Sequence, residues 1–230
     1  MTPSIRCAVA AGLLLAGLSA AGPGMARDPL WRELPWDLRM GPSWFRERAE
    51  ERGSVTAMYR LGLLHERGVS VERAPAKARD WYRRAAEKGH ARAQFRLARL
   101  HQVGAGGPVD LRAAARWYDR AAGAGIGRAA YNLGVLTLRG VRGEPDPARA
   151  ADLFRQAADA GIAAAWMSLG VLHRTGRGVA KDPVKAAAML MRAADAGIPG
   201  AAEARDTVLA GLDPAQRRTA HRRAQHTDAP

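Results

Sequence analysis

The sequence predicts an all-α protein built from stacked pairs of helices, and two observations carry that prediction. A glycine recurs every 36 residues along much of the 230-residue chain, and the positions between these glycines agree without an insertion. A fixed period of this length is typical of repeat proteins, in which each unit buries its apolar surface against its neighbours. The recurring glycines are Gly53, Gly89, Gly125, Gly161 and Gly197.

Four full units follow from this period, and each unit repeats the same residue types at the same positions. An alanine comes first, then a leucine, then a turn glycine, and two adjacent large side chains follow later. The units are 54–89, 90–125, 126–161 and 162–197; the leucines are Leu61, Leu97, Leu133 and Leu169, and the turn glycines are Gly68, Gly104, Gly140 and Gly176.

Each unit is predicted to contain two helices. In the first helix of the first unit, Leu61 and Leu64 recur at helical spacing, and Gly68 supplies a residue suited to a left-handed helix end. The second helix begins with Asp-Pro at Asp146 and again at Asp182. Aspartate caps the free amides of a first turn, and proline at the next position loses no hydrogen bond, so both pairs mark helix starts.

The repeated phrases resemble the Sel1-like repeat family, which is related to the tetratricopeptide repeats. This chain contributes "AMYRLGLLHERGV", "KARDWYRRAAEKG", "AAYNLGVLTLRGV" and "DPVKAAAMLMRAADAG" to that resemblance. The resemblance implies a right-handed α-solenoid whose concave face is lined by first helices and contacts other proteins. It also implies a scaffold or adaptor rather than an enzyme.

The segments outside the four units are predicted to cap the stack. Residues 27–53 form a tryptophan-rich segment followed by a lone second helix, and residues 198–230 form C-terminal capping helices and a basic tail. Trp31 and Trp36 are expected to cover the exposed end of the stack, or alternatively to contact a partner, because aromatic side chains dominate interface energetics.

The first 26 residues are predicted to be a cleaved signal peptide. An apolar run follows Arg6, and small residues precede a cleavage position at Ala26. The expected product is periplasmic or secreted, and the run is too short to span a membrane, which takes roughly 20 apolar residues. The single cysteine, Cys7, would leave with the signal peptide, so the mature chain would have no thiol for disulfides or thiolate metal sites.

The composition favours an acidic partner. The net charge is +14, and 32 of the 36 basic residues are arginine. Such a charge attracts acidic protein surfaces, polysaccharides, membrane headgroups and nucleic acid. Because an exported protein rarely meets nucleic acid, we predict a protein partner, with an anionic polysaccharide of the cell envelope as the alternative.

No catalytic, cofactor-binding or metal-binding residues are predicted. The serines lack a G-x-S-x-G setting, and there is no H-E-x-x-H or phosphate-binding loop. Cysteine-rich secreted relatives are linked to β-lactam binding or hydrolysis, so a hydrolase of that type is a remote alternative. This sequence lacks their cysteines.

One column of the repeat contains His65, His101 and His173, with Thr137 in the remaining unit. Neighbouring helices pack roughly 10 Å apart, whereas zinc holds imidazole nitrogens at about 2 Å. We therefore predict packing positions with a polar tip rather than a metal site. A pH-sensing role is the other interpretation, because histidine titrates near neutrality.

The predicted partner-binding surface lies on the first helices and combines an apolar floor with a basic rim. Arg92, Arg96 and Arg99 fall at spacing that keeps them on one helix face. The alternatives are that the aromatic column only lines the core and that the arginines form an ordinary solvated face. The floor is Tyr59, Leu63, Phe95, Tyr131 and Val135, and the rim is Arg92, Arg96, Arg99, Arg128 and Arg139.

Overall fold

A computed structural model describes residues 41–225, which are helical throughout apart from turns and loops. The predictions for the signal peptide, for Trp31 and Trp36 and for the end of the tail lie outside these residues. The chain also divides, between Pro108 and Val109, into two compact units, each larger than a single 36-residue repeat. No helix in the described part is long and apolar enough to cross a membrane.

Within the four repeats the helices have nearly equal lengths, as the repeat predicts. The first unit contains α1 (Pro42–Glu50), α2 (Val55–Arg67), α3 (Pro75–Glu87) and α4 (Ala91–Val103). The second unit contains α5 (Leu111–Gly123), α6 (Gly127–Leu138), α7 (Pro147–Asp159), α8 (Ala163–Thr175), α9 (Pro183–Asp195), α10 (Ala201–Ala210) and α11 (Pro214–Gln225).

The helix starts predicted at Asp146 and Asp182 are confirmed, and Asp110 marks a third start of the same kind. Asp110, Asp146 and Asp182 each accept a hydrogen bond from the backbone N–H three residues later, at 2.8, 2.9 and 2.8 Å. These contacts satisfy amides that have no partner inside the helix. Ala74 precedes α3 and provides no side-chain cap, so α3 begins with Pro75 alone.

The Leu-Gly pair of the repeat exists because a large side chain of the second helix lies directly against the first helix. A Cβ atom at Gly62 would lie 2.5 Å from the Tyr82 ring, and one at Gly134 would lie 2.7 Å from the Phe154 ring. Both rings are fully buried. Glycine therefore permits an approach that alanine would obstruct.

The described parts of both end segments are helices that cover apolar surface. Helix α1 packs against α2 and buries Phe45 and Ala49. Helix α11 packs against α9 and buries Ala220. The Arg192 guanidinium on α9 donates hydrogen bonds to the carbonyl oxygens of Arg223 and Ala224 at 2.9 and 3.1 Å. These two carbonyl groups lie in the last turn of α11, where they have no partner within the helix.

Candidate protein-interaction site

In the first unit the predicted partner-binding residues lie on α2 and α4, and two of them, both on α2, are buried. Tyr59 is only 8% exposed and stacks on the ring of His90 at a centroid distance of 4.5 Å, while the Arg60 guanidinium lies 5.9 Å from the Tyr59 ring. Leu63 is 4% exposed. The prediction that Leu63 contacts a partner is therefore corrected: it is a core residue. Phe95 is half-buried.

Arg96 was predicted to belong to the basic rim, but the structure gives it an internal partner. Its guanidinium lies 3.4 Å from a carboxylate oxygen of Glu66, and the other oxygen of Glu66 accepts a 2.6 Å hydrogen bond from the Tyr82 hydroxyl. Burial, and then this hydrogen bond to a carboxylate, raise the pKa of the Tyr82 hydroxyl far above its usual value. Arg96 thus joins α4 to α2 through an internal ion pair, with which an acidic partner would have to compete.

Arg92 and Arg99 remain as the available charges on α4. Both are exposed, and neither forms an ion pair or a side-chain hydrogen bond within residues 41–225. They lie in a segment with excess positive charge, since residues 41–108 contain 14 Arg and Lys against 7 Asp and Glu. An acidic surface is the complement of this face.

The second unit presents α6 and α8, and here the predicted residues are more accessible. Arg128 and Arg139 are exposed at the two ends of α6, while Tyr131 and Val135 are half-buried between them. The Tyr131 ring packs on Phe154 at a centroid distance of 5.6 Å, which fixes its orientation. These four residues place partly accessible apolar side chains between two exposed charges.

Three further apolar side chains lie on this second face: Met167, which shares the aromatic column of the repeat, and Leu138 and Val171, which sequence reasoning missed. Leu138, Met167 and Val171 are half-buried on α6 and α8. The repeat register carried the signal, because Met167 occupies the same column as Tyr131, and Val171 the same column as Val135. Leu138 and Val171 therefore add to the accessible apolar surface predicted for the second unit.

The predicted packing role of the histidine column is confirmed. His65, His101 and His173 are 5%, 7% and 6% exposed. Thr137, in the same column, turns its hydroxyl back to the Leu133 carbonyl at 2.8 Å. Within residues 41–225 there is no group of three or more His, Cys, Asp or Glu side chains that could hold a metal ion.

Two of these histidines have a lowered pKa. Burial disfavours the charged ring of both His65 and His173, and nearby Lys77 and Lys185 add repulsion. The hydrogen bond from His173 Nδ1 to the Ala180 carbonyl at 3.1 Å offsets only part of this effect. Both imidazoles are therefore neutral at neutral pH.

A lowered histidine pKa makes the fold less stable in mild acid. The unfolded chain binds these protons near pH 6.5, whereas the folded chain binds them only at lower pH. The contribution to stability is fully present above pH 6.5 and falls as the pH drops toward the folded pKa values. We expect the urea midpoint to fall between pH 7.5 and 5.5, and to fall less in His65→Gln/His173→Gln.

The control for this measurement is His221→Gln, because His221 is exposed on α11. We expect this variant to keep the full pH dependence of the parent protein. A double variant that loses as much stability in acid as the parent would contradict the assignment to the buried histidines.

The repeated helix pairs and these solvent-facing first helices together define a helical-repeat protein of the kind that binds other proteins. The Sel1 repeat matches the chain four times in succession, at residues 55–90, 91–126, 127–162 and 163–198. The chain belongs to the Sel1 repeat family, whose members generally mediate protein–protein interactions. The predicted family and all-α repeat fold are thus confirmed, with matched boundaries one residue later than the units read from the sequence.

Two solved structures resemble this chain in fold. A Sel1 repeat protein from Oxalobacter formigenes is 25% identical, with a TM-score of 0.69 over 85% of this chain and 80% of the other. The protein c5321, a protective antigen of uropathogenic Escherichia coli with an SLR fold, is 28% identical, with a TM-score of 0.54. That match covers 80% of this chain but only 47% of c5321. A comparison with curated proteins gives no match.

Proposed function

We propose that this protein is a non-catalytic adaptor or regulator that binds an acidic partner protein through its first helices. The observation that carries the proposal is the pair of exposed guanidinium groups on α4, Arg92 and Arg99, which have no internal counter-ion within the described residues. A carboxylate of a partner would supply one, with paired, directional hydrogen bonds.

Apolar contact accompanies this charge in the proposal. Phe95 on the first unit, and Tyr131 and Val135 on the second, retain accessible surface beside exposed arginines. Interfaces commonly place aromatic and aliphatic groups at the centre and charges at the rim. The apolar groups would supply binding energy, and the arginines would speed association and orient the partner.

Charge reversal tests the proposal. The partner is first captured from the cell envelope by crosslinking, and its dissociation constant is then measured with purified protein at two salt concentrations. Arg92→Glu/Arg99→Glu is expected to raise Kd at least about tenfold, roughly 1.4 kcal/mol, and to weaken the salt dependence.

Arg112→Glu/Arg116→Glu makes the same change in net charge on α5, a second helix, where both side chains are exposed. We expect this control to bind as the parent does, apart from a small general charge effect. Equal losses in the two double variants would show that net charge alone attracts the partner and would refute a site on α4.

A second candidate function is direct binding of an acidic polysaccharide. Helix α11 favours it, because this 12-residue helix contains four arginines and Arg218 and Arg222 are exposed. Alginate, an acidic polysaccharide, would bind the purified protein at low ionic strength and release it near 150 mM salt, where screening acts within about 8 Å. Absence of binding at low ionic strength would eliminate this candidate.

The proposed location is the periplasm or the medium, after cleavage near Ala26. Support comes from the charged start, apolar run and small residues of the first 26 positions. Cell fractionation and N-terminal sequencing test it: a mature chain that begins near Arg27 agrees, and a full-length cytoplasmic chain does not.

A further inference from the structure

In the first unit, one arginine side chain is enclosed between α3 and α4. Arg79 on α3 is 9% exposed, and its Nη2 lies 2.8 Å from Nδ1 of His101 on α4. The guanidinium donates this hydrogen bond, so His101 accepts it with an unprotonated Nδ1. A Cβ atom at Gly107 would overlap the Arg79 guanidinium. Three positions thus form a guanidinium site: Arg79, His101 and Gly107.

One repeat later, the three corresponding positions surround a cavity. Ala115, Thr137 and Gly143 follow those three residues by 36 positions each. All three line a cavity of about 150 Å³ in the second unit. A Cβ atom at Gly143 would meet nothing within 4 Å, in contrast to Gly107. Replacement of arginine by alanine and of histidine by threonine therefore leaves space where the first unit holds a guanidinium group.

The loop of this repeat also lacks a backbone contact that the corresponding loops of the repeats before and after it make. Gly106 and Gly178 have positive φ, and a Cβ atom at either would overlap the backbone of the first turn of the preceding second helix. Arg142 occupies the same repeat position, has no positive φ, and carries a side chain. Its guanidinium instead reaches Asp119 on α5 at 3.3 Å. The close backbone approach at Gly106 and Gly178 is thus incompatible with the arginine of this repeat.

The charges around the cavity leave an acidic group available. Asp119 pairs with both Arg142 and Arg149, each at 3.3 Å, and so neutralises part of the basic wall. Glu144 also lines the cavity, is exposed, and forms no ion pair within residues 41–225. Asp146, on the same wall, accepts one backbone hydrogen bond through Oδ1. Carboxylates and a threonine hydroxyl are suitable acceptors for a planar, multiply donating cation.

We propose that this cavity binds a guanidinium group, in the form of an arginine side chain of a peptide or protein ligand. The ligand takes the position in the second unit that Arg79 occupies in the first, with Glu144 as its counter-ion. A cavity of about 150 Å³ accommodates a group as large as a benzene ring, and a guanidinium is no larger. This site lies between α5, the C-terminal end of α6 and the loop that follows α6. It therefore does not depend on the proposed partner site on α4.

The test uses the full chain and two matched probes, Nα-acetyl-arginine amide and Nα-acetyl-lysine amide, followed by NMR chemical shifts. We expect saturable shifts at residues lining the cavity with the arginine probe, and binding at least about tenfold weaker with the lysine probe, because an ammonium lacks the planar fork. Equal binding of the two probes would overturn the proposal. So would tighter binding of inorganic phosphate, which would show that Arg142 and Arg149 define an anion site.

Filling the cavity from within provides the second arm. Ala115→Arg/Thr137→His recreates the arrangement of the first unit and is expected to abolish binding of the arginine probe. Ala115→Leu fills the space without charge and should also abolish it, so the test survives if the double variant fails to fold. Retained binding in a folded, filled variant would overturn the assignment.

Removal of the counter-ion provides the third arm. Glu144→Gln should weaken the arginine probe about three- to tenfold. Asp80→Asn is the control, because Asp80 is an exposed carboxylate on α3 in the first unit. We expect no change in that variant. An equal loss in both variants would show that the probe responds to net charge and would contradict a site at Glu144.

Discussion

Gly178→Ala is expected to lower the free energy of unfolding by about 3 kcal/mol, from two additive sources. Gly178 has a φ of 72°, where a side chain costs about 1–2 kcal/mol. In addition, a Cβ atom would overlap the backbone of Pro147 and Ala148 at the start of α7. Backbone cannot rotate aside as a side chain does, so the loop would have to move away from α7.

Gly161→Ala separates these two sources. Gly161 has a similar φ of 80°, but a Cβ atom there meets nothing within 4 Å. We expect this control to lose only the conformational contribution, about 1–2 kcal/mol. Urea unfolding, followed by circular dichroism, measures both variants. Equal destabilisation would show that the overlap at α7 relaxes without loss of stability and would refute the second source.

Phe154→Ala is expected to have the largest effect among the variants considered, a loss of about 3–5 kcal/mol. Phe154 is fully buried, touches the Tyr131 ring and lies directly against Gly134. Removing the ring leaves a cavity between α6 and α7, the two helices of one repeat. Because each repeat is stabilised mainly by its neighbours, we expect amide protection to fall first in α6 and α7.

Leu153→Ala is the matched control for this prediction, since Leu153 is adjacent on α7 but only half-buried. It should lose about 1 kcal/mol, in proportion to the smaller apolar area removed from water. Hydrogen exchange and urea unfolding of both variants check the result. If Leu153→Ala were as destabilising as Phe154→Ala, the central position of the Phe154 ring in this repeat would be wrong.

The fold was predictable because each repeat carries its own local signals. Asp146 and Asp182 mark helix starts through their caps, and Gly68 ends α2 in a left-handed conformation with φ of 73°. These signals act within a few residues, so they are readable without neighbours. Their recurrence every 36 residues then identifies the architecture.

The candidate site was only partly predictable, because a side chain's availability depends on other helices. Helical spacing places Arg92, Arg96 and Arg99 on one face of α4, yet Arg96 is held by Glu66 from α2. Leu63 likewise occupies a position predicted for the partner-binding surface, but its side chain is buried in the core. Periodicity gives the angle of a side chain around its own helix axis and carries no information on what the next helix brings to it.

The amino-acid sequence alone determined the repeat period, the helix starts at Asp146 and Asp182 and the family, since all three arise from short-range capping, turn and packing preferences repeated in register. Only the tertiary structure decided which charged side chains lack an internal counter-ion and where a cavity remains between helices. Arg79 meets His101 across two helices, whereas Ala115 and Thr137 leave a cavity at the same repeat positions. Whether two residues 22 positions apart fill or vacate a volume follows from the distance and angle between their helices, which only the packed fold establishes.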